Sequence, residues 1–209
     1  MAKYTAKNIK GLSDKVKGMD NVVNQAASLA VNKATTFARG TSIDHMLREV
    51  TLQESYIKKH IRVASRASPN NLVAQIDATA RGTLLDRFNN IDAGKKGVKV
   101  QVNKGSSFKL IRASFKVTNL RGSSSTGIAM RNTDALRYYE DVISQGGASS
   151  KLRAKVARIA RKAGSKPRGI EVLHSRSINQ MFLNIREDVK PLVDSFMNRE
   201  FKKDIRRLR

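Results

Sequence analysis

The spacing of apolar residues changes twice along this chain, and that change limits the folds open to it. From Gly11 to Arg39, Leu12, Val16, Met19, Val23, Ala26, Ala30, Ala34 and Phe37 recur at intervals of three and four. That is the period of one helix face, so a long first helix is predicted, with Gly40 as its C′ residue. A short second helix follows, capped by Thr41 or Ser42, with Ile43, Met46, Leu47 and Val50 on one side. Thr51-Leu52-Gln53-Glu54 reads as a capping box that starts a third helix carrying Leu52, Tyr56 and Ile57. A restart there predicts a bend near Val50.

The middle of the chain switches to a period of two. Ile61-Arg62-Val63 and Leu72 to Ile76 read as strands around a Ser68-Pro69-Asn70-Asn71 turn. Val98, Val100 and Val102 alternate with Lys99, Gln101 and Asn103, and Phe108 to Ile111 and Ala113 to Val117 follow the turn at Asn103-Lys104-Gly105. Alternation with a polar outer face predicts an antiparallel sheet covered on one side, with Val98–Val117 as the body. After a Ser-rich loop, Gly122 to Thr126, comes a further strand, Gly127 to Arg131.

The helical period then returns. Leu152, Val156, Ile159 and Ala163 form a stripe among Lys151, Arg153, Lys155, Arg158, Arg161 and Lys162, between Gly146-Gly147 and Gly164-Ser165-Lys166-Pro167. This basic helix reads either as a solvated surface element or as an arm laid along phosphates. Asn184 to Arg209 reads as a long final helix, which Pro191 should kink or divide. The fold class is therefore α+β: a long N-terminal helix, a central antiparallel sheet, a basic helical insertion and a long C-terminal helix. We read residues 1–209 as one domain with four parts: helical 11–60, β-rich 61–133, the basic insertion 134–169 and helical 170–209.

Charge narrows the function. The chain holds 41 Lys and Arg against 17 Asp and Glu, a formal net charge of +24. Between Asp92 and Glu171 the only acids are Asp134, Glu140 and Asp141, against eighteen Lys and Arg. Solubility needs only a few excess charges, so a surplus of this size points to a polyanionic neighbour, nucleic acid first. Lys95, Lys96, Lys99, Lys104, Lys151, Arg153, Lys155, Arg158, Arg161, Lys162, Lys166 and Arg168 are the candidate DNA-facing residues. No Cys is present, which removes disulfides, thiolate zinc sites and cysteine nucleophiles. No signal peptide or membrane span is read, and the amphipathic helix at Lys151–Ala163 lacks the aromatic anchor of a membrane-surface segment. No phosphate-binding loop, HExxH or nucleophile elbow occurs, and His45 and His60 lack partners at ligand spacing. His174-Ser175-Arg176 has no tyrosine downstream to serve as a strand-transfer nucleophile. No enzyme, metal or cofactor is expected.

The order of these pieces resembles the minor tail protein Z family of long-tailed bacteriophages. Ile9-Lys10-Gly11-Leu12 opens the long helix, followed by Ala27 and the Ala30 to Ala34 run. Leu84-Leu85-Asp86-Arg87-Phe88 precedes Gly97-Val98-Lys99-Val100-Gln101-Val102-Asn103-Lys104-Gly105 and Ser114-Phe115, similar to the family's Leu-x-Arg-Phe, paired valine strands and "AF" strand. Ser177, Ile178, Gln180, Met181 and Phe182 lie in a segment similar to the family's "GPSVPQMF", with His174, Ser175 and Asn179 replacing its GP and proline. The insertion at 134–169 departs from the family pattern, so the role given to its cations comes from charge alone.

The resemblance implies a non-enzymatic virion protein of the neck or upper tail, made in the host cytoplasm, that completes the tail for head–tail joining and positions the DNA end. It implies a homo-oligomeric ring, with six-fold symmetry one option, around genomic double-stranded DNA. The tail terminator, other neck proteins and the tape-measure protein are the implied neighbours, with no membrane. Both long helices would then be subunit interfaces. The alternative is a free, sequence-independent nucleic-acid-binding protein of ribosomal or nucleoid type.

Overall fold

A computed structural model describes residues 2–5, 21–120, 125–145 and 149–208. The fold is α+β, as the change of period predicts, with long helices near both ends and small antiparallel sheets between them. Its elements group into two compact units, residues 1–82 with 176–209 and residues 83–175. The segment 61–133, read from sequence as one body, contributes to both.

In the first unit, helix α1 (Asn21–Glu49) packs on the last helix, α5 (Ile178–Leu208). Helix α2 (Glu54–His60) and strands β1 (Ala2–Thr5), β2 (Ile61–Ser65) and β3 (Gln75–Ala78) complete it, the strands in the antiparallel order β1-β3-β2. Ala26, Ala27, Ala30, Val31, Ala34 and Ala38 are buried on α1, and Met181, Phe182, Ile185, Val189 and Val193 are buried on α5. Phe37 stacks on Phe196 with ring centroids 4.3 Å apart and planes 2° from parallel. Lys33 reaches Asp204 at 2.7 Å and Glu200 at 3.1 Å. Partners that ascend on α5 as they descend on α1 make the pair antiparallel. These two helices, read from sequence as candidate subunit interfaces, pack on each other within one chain and leave Leu29, Leu183 and Leu192 exposed.

Three helix boundaries differ from the sequence reading. Gly40 does not end α1, which runs on through the expected second helix to Glu49. A glycine inside a helix costs only about 1 kcal/mol, and burial of Ile43 and Met46 outweighs that. The bend near Val50 is present, and α2 begins later than the Thr51 start expected, with Gln53 as its N-cap. The final helix starts at Ile178, six residues before Asn184, and is continuous through Pro191. The part of the first helix from Gly11 to Asp20 lies outside the described residues, as do most of the Ser-rich loop and Gly146-Gly147.

The start of α5 explains the segment 177–182. Gln180 N donates to Ser177 Oγ at 3.1 Å, and Ser177 N donates to Gln180 Oε1 at 3.0 Å, a reciprocal capping box. Ile178, Met181 and Phe182 are buried just behind it. Two side-chain clasps hold the rest of this unit on α1. Asn32 exchanges hydrogen bonds with the backbone of Ala67 at 2.9 and 2.8 Å. Arg39 donates to Ile61 O and Lys58 O at the end of α2.

The chain passes into the second unit within strand β4 (Gly82–Leu84) and leaves it within β11 (His174–Ser177). Strands β5 (Asn89–Asp92), β6 (Val98–Gln101) and β7 (Lys109–Ile111) form one antiparallel sheet. Strand β8 (Ser114–Val117) pairs instead with β9 (Gly127–Arg131), which pairs with β10 (Ile170–Val172). The single body expected over Val98–Val117 is therefore divided between two sheets. The division has a local cause at Arg112-Ala113, where Ala113 adopts a left-handed φ of 57° and turns the chain out of register with β7. Ser114 fixes that corner, donating to Ile111 O at 2.6 Å and accepting from Val98 N at 3.0 Å. Gly97 sits against the same place: a Cβ there would lie 2.2 Å from Ile111 O. Helices α3 (Asn132–Ser144) and α4 (Ser150–Ser165) pack against each other.

Candidate nucleic-acid interface

The second unit carries nineteen Lys and Arg against six Asp and Glu, and it contains all twelve candidate DNA-facing residues. They fall on two elements. Lys95 and Lys96 lie in the turn before β6, Lys99 on β6 and Lys104 in the turn after it, all exposed. The other eight belong to α4 and its exit to β10.

Helix α4 exists because Ser149 caps it, accepting from Leu152 N at 3.2 Å, and because Ile159 is wholly buried. Lys155 and Lys162 stand four residues before and three after Ile159, so helical geometry brings them to its side. Arg161, two residues on, points about 200° away. The cations of this helix are consequently of two kinds.

Three of them are spent inside the unit. Glu171 on β10 is only 6% exposed, and it accepts from Arg158 Nη2 at 2.6 Å and Lys162 Nζ at 3.0 Å. Lys155 Nζ lies over the Tyr139 ring of α3, 4.1 Å from its centroid, and donates to its hydroxyl. Burial pulls the Lys155 amine below its ordinary pKa, against the pull of Glu171. Burial also holds the Tyr139 phenol above its usual range, with Tyr138 and Glu171 adding to the effect. Lys155, Arg158 and Lys162 thus have partners within the unit, while Arg158 and Lys162 keep 51% and 44% of their side-chain surface in water. A buried carboxylate in low dielectric requires such partners.

Sequence reading missed Glu171 as the organiser of this cluster. The pattern gave no signal for it: a glutamate between Ile170 and Val172 reads as the outward position of a strand, yet Glu171 is the buried residue and Ile170 is 39% exposed.

The remaining nine candidates, Lys95, Lys96, Lys99, Lys104, Lys151, Arg153, Arg161, Lys166 and Arg168, are exposed and join no ion pair among the described residues. The exit of α4 is held in place from α3. Asn132 N donates to Gly169 O and its Nδ2 to Lys166 O, both at 2.8 Å, while Arg131 donates to Arg168 O at 2.7 Å. Arg131 also stacks over Phe115, 5.4 Å from the ring centroid. The backbone carrying Lys166 and Arg168 is thereby fixed while both side chains face water. Fixed, unneutralised cations on a helix and its adjoining loop can engage successive phosphates of any sequence.

Ser177, Ile178, Gln180, Met181 and Phe182 lie in the other unit, where they cap α5 and fill its core, as described above. Among the described residues no group of three or more His, Asp or Glu side chains is placed to hold a metal, and no helix is long and apolar enough to cross a membrane. Protein-family models, curated proteins and solved structures give no match to this chain.

Proposed function

We propose that this chain is a structural, non-enzymatic component of a bacteriophage neck or upper tail, similar to the minor tail protein Z family, which completes the tail for head–tail joining. In this reading copies form a ring beside the tail terminator and other tail proteins, with genomic duplex DNA in its channel. The observation that carries it is the set of nine exposed cations left over after Glu171 has claimed its partners. A duplex presents one phosphate charge per about 1.7 Å of axis, and such a lumen must be positive or neutral toward it. Sequence-independent contact is what that arrangement provides, since none of these side chains is set among neighbours that would read a base edge.

The test uses the exposed cations of α4 and its exit, leaving the Glu171 cluster intact. Lys151, Arg153, Arg161, Lys166 and Arg168 are changed together to Gln in the virus that encodes the chain. Particles should assemble normally and lose packaged DNA or infectivity, and a label on this chain should appear at the neck. A label elsewhere on the particle, or full infectivity of the five-fold variant, would overturn the proposal. For the isolated protein, the slope of log affinity for duplex against log salt should fall by about 0.9 for each phosphate no longer engaged. Tight duplex binding by a monomer that joins no tail would favour the alternative of a free nucleic-acid-binding protein.

A further inference from the structure

The sheet β5-β6-β7 carries large apolar side chains on both faces. Val98, Val100 and Ile111 are buried on one side of it. On the other, Ile91 is opposite Lys99 and Lys99 is opposite Leu110, so the three share a face. Phe108, two residues before Leu110, falls on that face as well. Ile91 is 51% exposed, and Phe108 and Leu110 are each 39% exposed. An antiparallel sheet with one covered side ordinarily turns polar residues outward; this one sets Ile91 and Leu110 among Asn89, Lys99 and Gln101.

The outer face is cationic and carries no acid. Lys99 sits between Ile91 and Leu110, with Lys95 and Lys96 in one bordering turn and Lys104 in the other. Asp92 is opposite Val98, which puts it on the other face, and its carboxylate accepts from Gly94 N.

We propose that this face docks an acidic polypeptide segment of a partner protein, one in which carboxylates alternate with apolar side chains. Ile91, Phe108 and Leu110 seat the apolar positions while the bordering lysines meet the carboxylates. Charge complementarity selects this occupant. A second copy would bring lysine onto lysine in a chain of net charge +24. Duplex DNA offers phosphates and sugars, which gain nothing from covering isoleucine and leucine. A bilayer needs a broader apolar surface with interfacial anchors, whereas three strands about 4.8 Å apart span about 10 Å. This inference gives Lys95, Lys96, Lys99 and Lys104 to a protein partner and leaves the DNA contact of the tail reading to the five exposed cations of α4 and its exit, where that reading is tested separately.

The test measures binding of the full chain to two labelled peptides of equal negative charge and about twelve residues, one alternating Glu with Val and Ile, the other Glu with Ser. The Val/Ile peptide should bind at least about ten-fold more tightly, a gap of about 1.4 kcal/mol. Ile91→Ser with Leu110→Ser should erase that gap without changing duplex affinity or the melting temperature. Lys95→Gln, Lys99→Gln and Lys104→Gln together should weaken both peptides. Equal affinity for the two peptides, or a gap that survives the serine variant, overturns the proposal. So does uptake of the wild type, but not of the serine variant, by phosphatidylcholine vesicles containing about one third phosphatidylserine, which would make the face a membrane contact.

Discussion

Each unit buries one carboxylate almost completely, and the two are neutralised in different ways. In the helical unit Asp204, 2% exposed, has one base, Lys33, which it shares with Glu200, and Arg199 approaches Glu200 at 3.9 Å from the open side. In the sheet-rich unit Glu171 collects both Arg158 and Lys162, with Lys155 close by on Tyr139. One buried acid thus has a single base and the other has two. The difference shows that cation density along a sequence does not measure how many cations are available to a partner. Where acids are scarce, a buried one gathers several bases, and only the remainder faces outward.

The contrast can be broken first at Glu171. Arg158→Ala with Lys162→Ala should destabilise the protein by about 2–4 kcal/mol, because the carboxylate loses both bases while their half-exposed side chains, at 51% and 44%, already pair in screened surroundings. Equilibrium denaturation measures this, and a loss below about 1 kcal/mol would mean that water replaces both bases. Either single substitution should cost less, since the other base remains.

Lys33→Met probes the other arrangement, where no second base among the described residues reaches Asp204. The Lys33 side chain keeps 39% of its surface in water, so screening limits the expected loss to about 1–3 kcal/mol. Its amine is raised above the ordinary 10.5, first by the hydrogen bond to Asp204, against desolvation. A raised base stabilises the fold below its unfolded pKa and loses that contribution as pH rises through the folded one. The stability gap between wild type and Lys33→Met should therefore narrow above about pH 10.5.

Two smaller changes sharpen the contrast from the helical side. Ser177→Ala removes the reciprocal cap of α5 and should cost about 1 kcal/mol. Gly40→Ala should do the reverse. Gly40 is inside α1 and an added Cβ meets nothing within 4 Å, so a gain of about 0.5–1 kcal/mol in thermal or denaturant stability is expected.

Much of the fold was legible because it is written in local periodicity. The valines of β6 and the stripe of α4 alternate or recur as burial requires, and β9 begins and ends where its apolar run does. Boundaries set by distant contacts were not legible. Gly40 looks like a stop until Ile43 and Met46 are seen buried beyond it. The separation of β7 from β8 depends on the backbone at Ala113 and a serine hydroxyl shared between two strands, which no pattern of apolar residues encodes. The candidate interface was legible as charge and illegible as geometry. Arg158 and Arg161 look equivalent in sequence, yet one holds Glu171 and the other faces solvent.

The two crossings within β4 and β11 bear on how the chain is made. The sheet-rich unit is one uninterrupted stretch, complete once residue 175 has left the ribosome. The helical unit encloses it in sequence, so the partner of α1 is absent while the 128 residues from 50 to 177 are polymerised. At about 5–20 residues per second that interval lasts roughly 6–25 s. For that time the alanine-rich side of α1 must be sheltered by something other than its final partner.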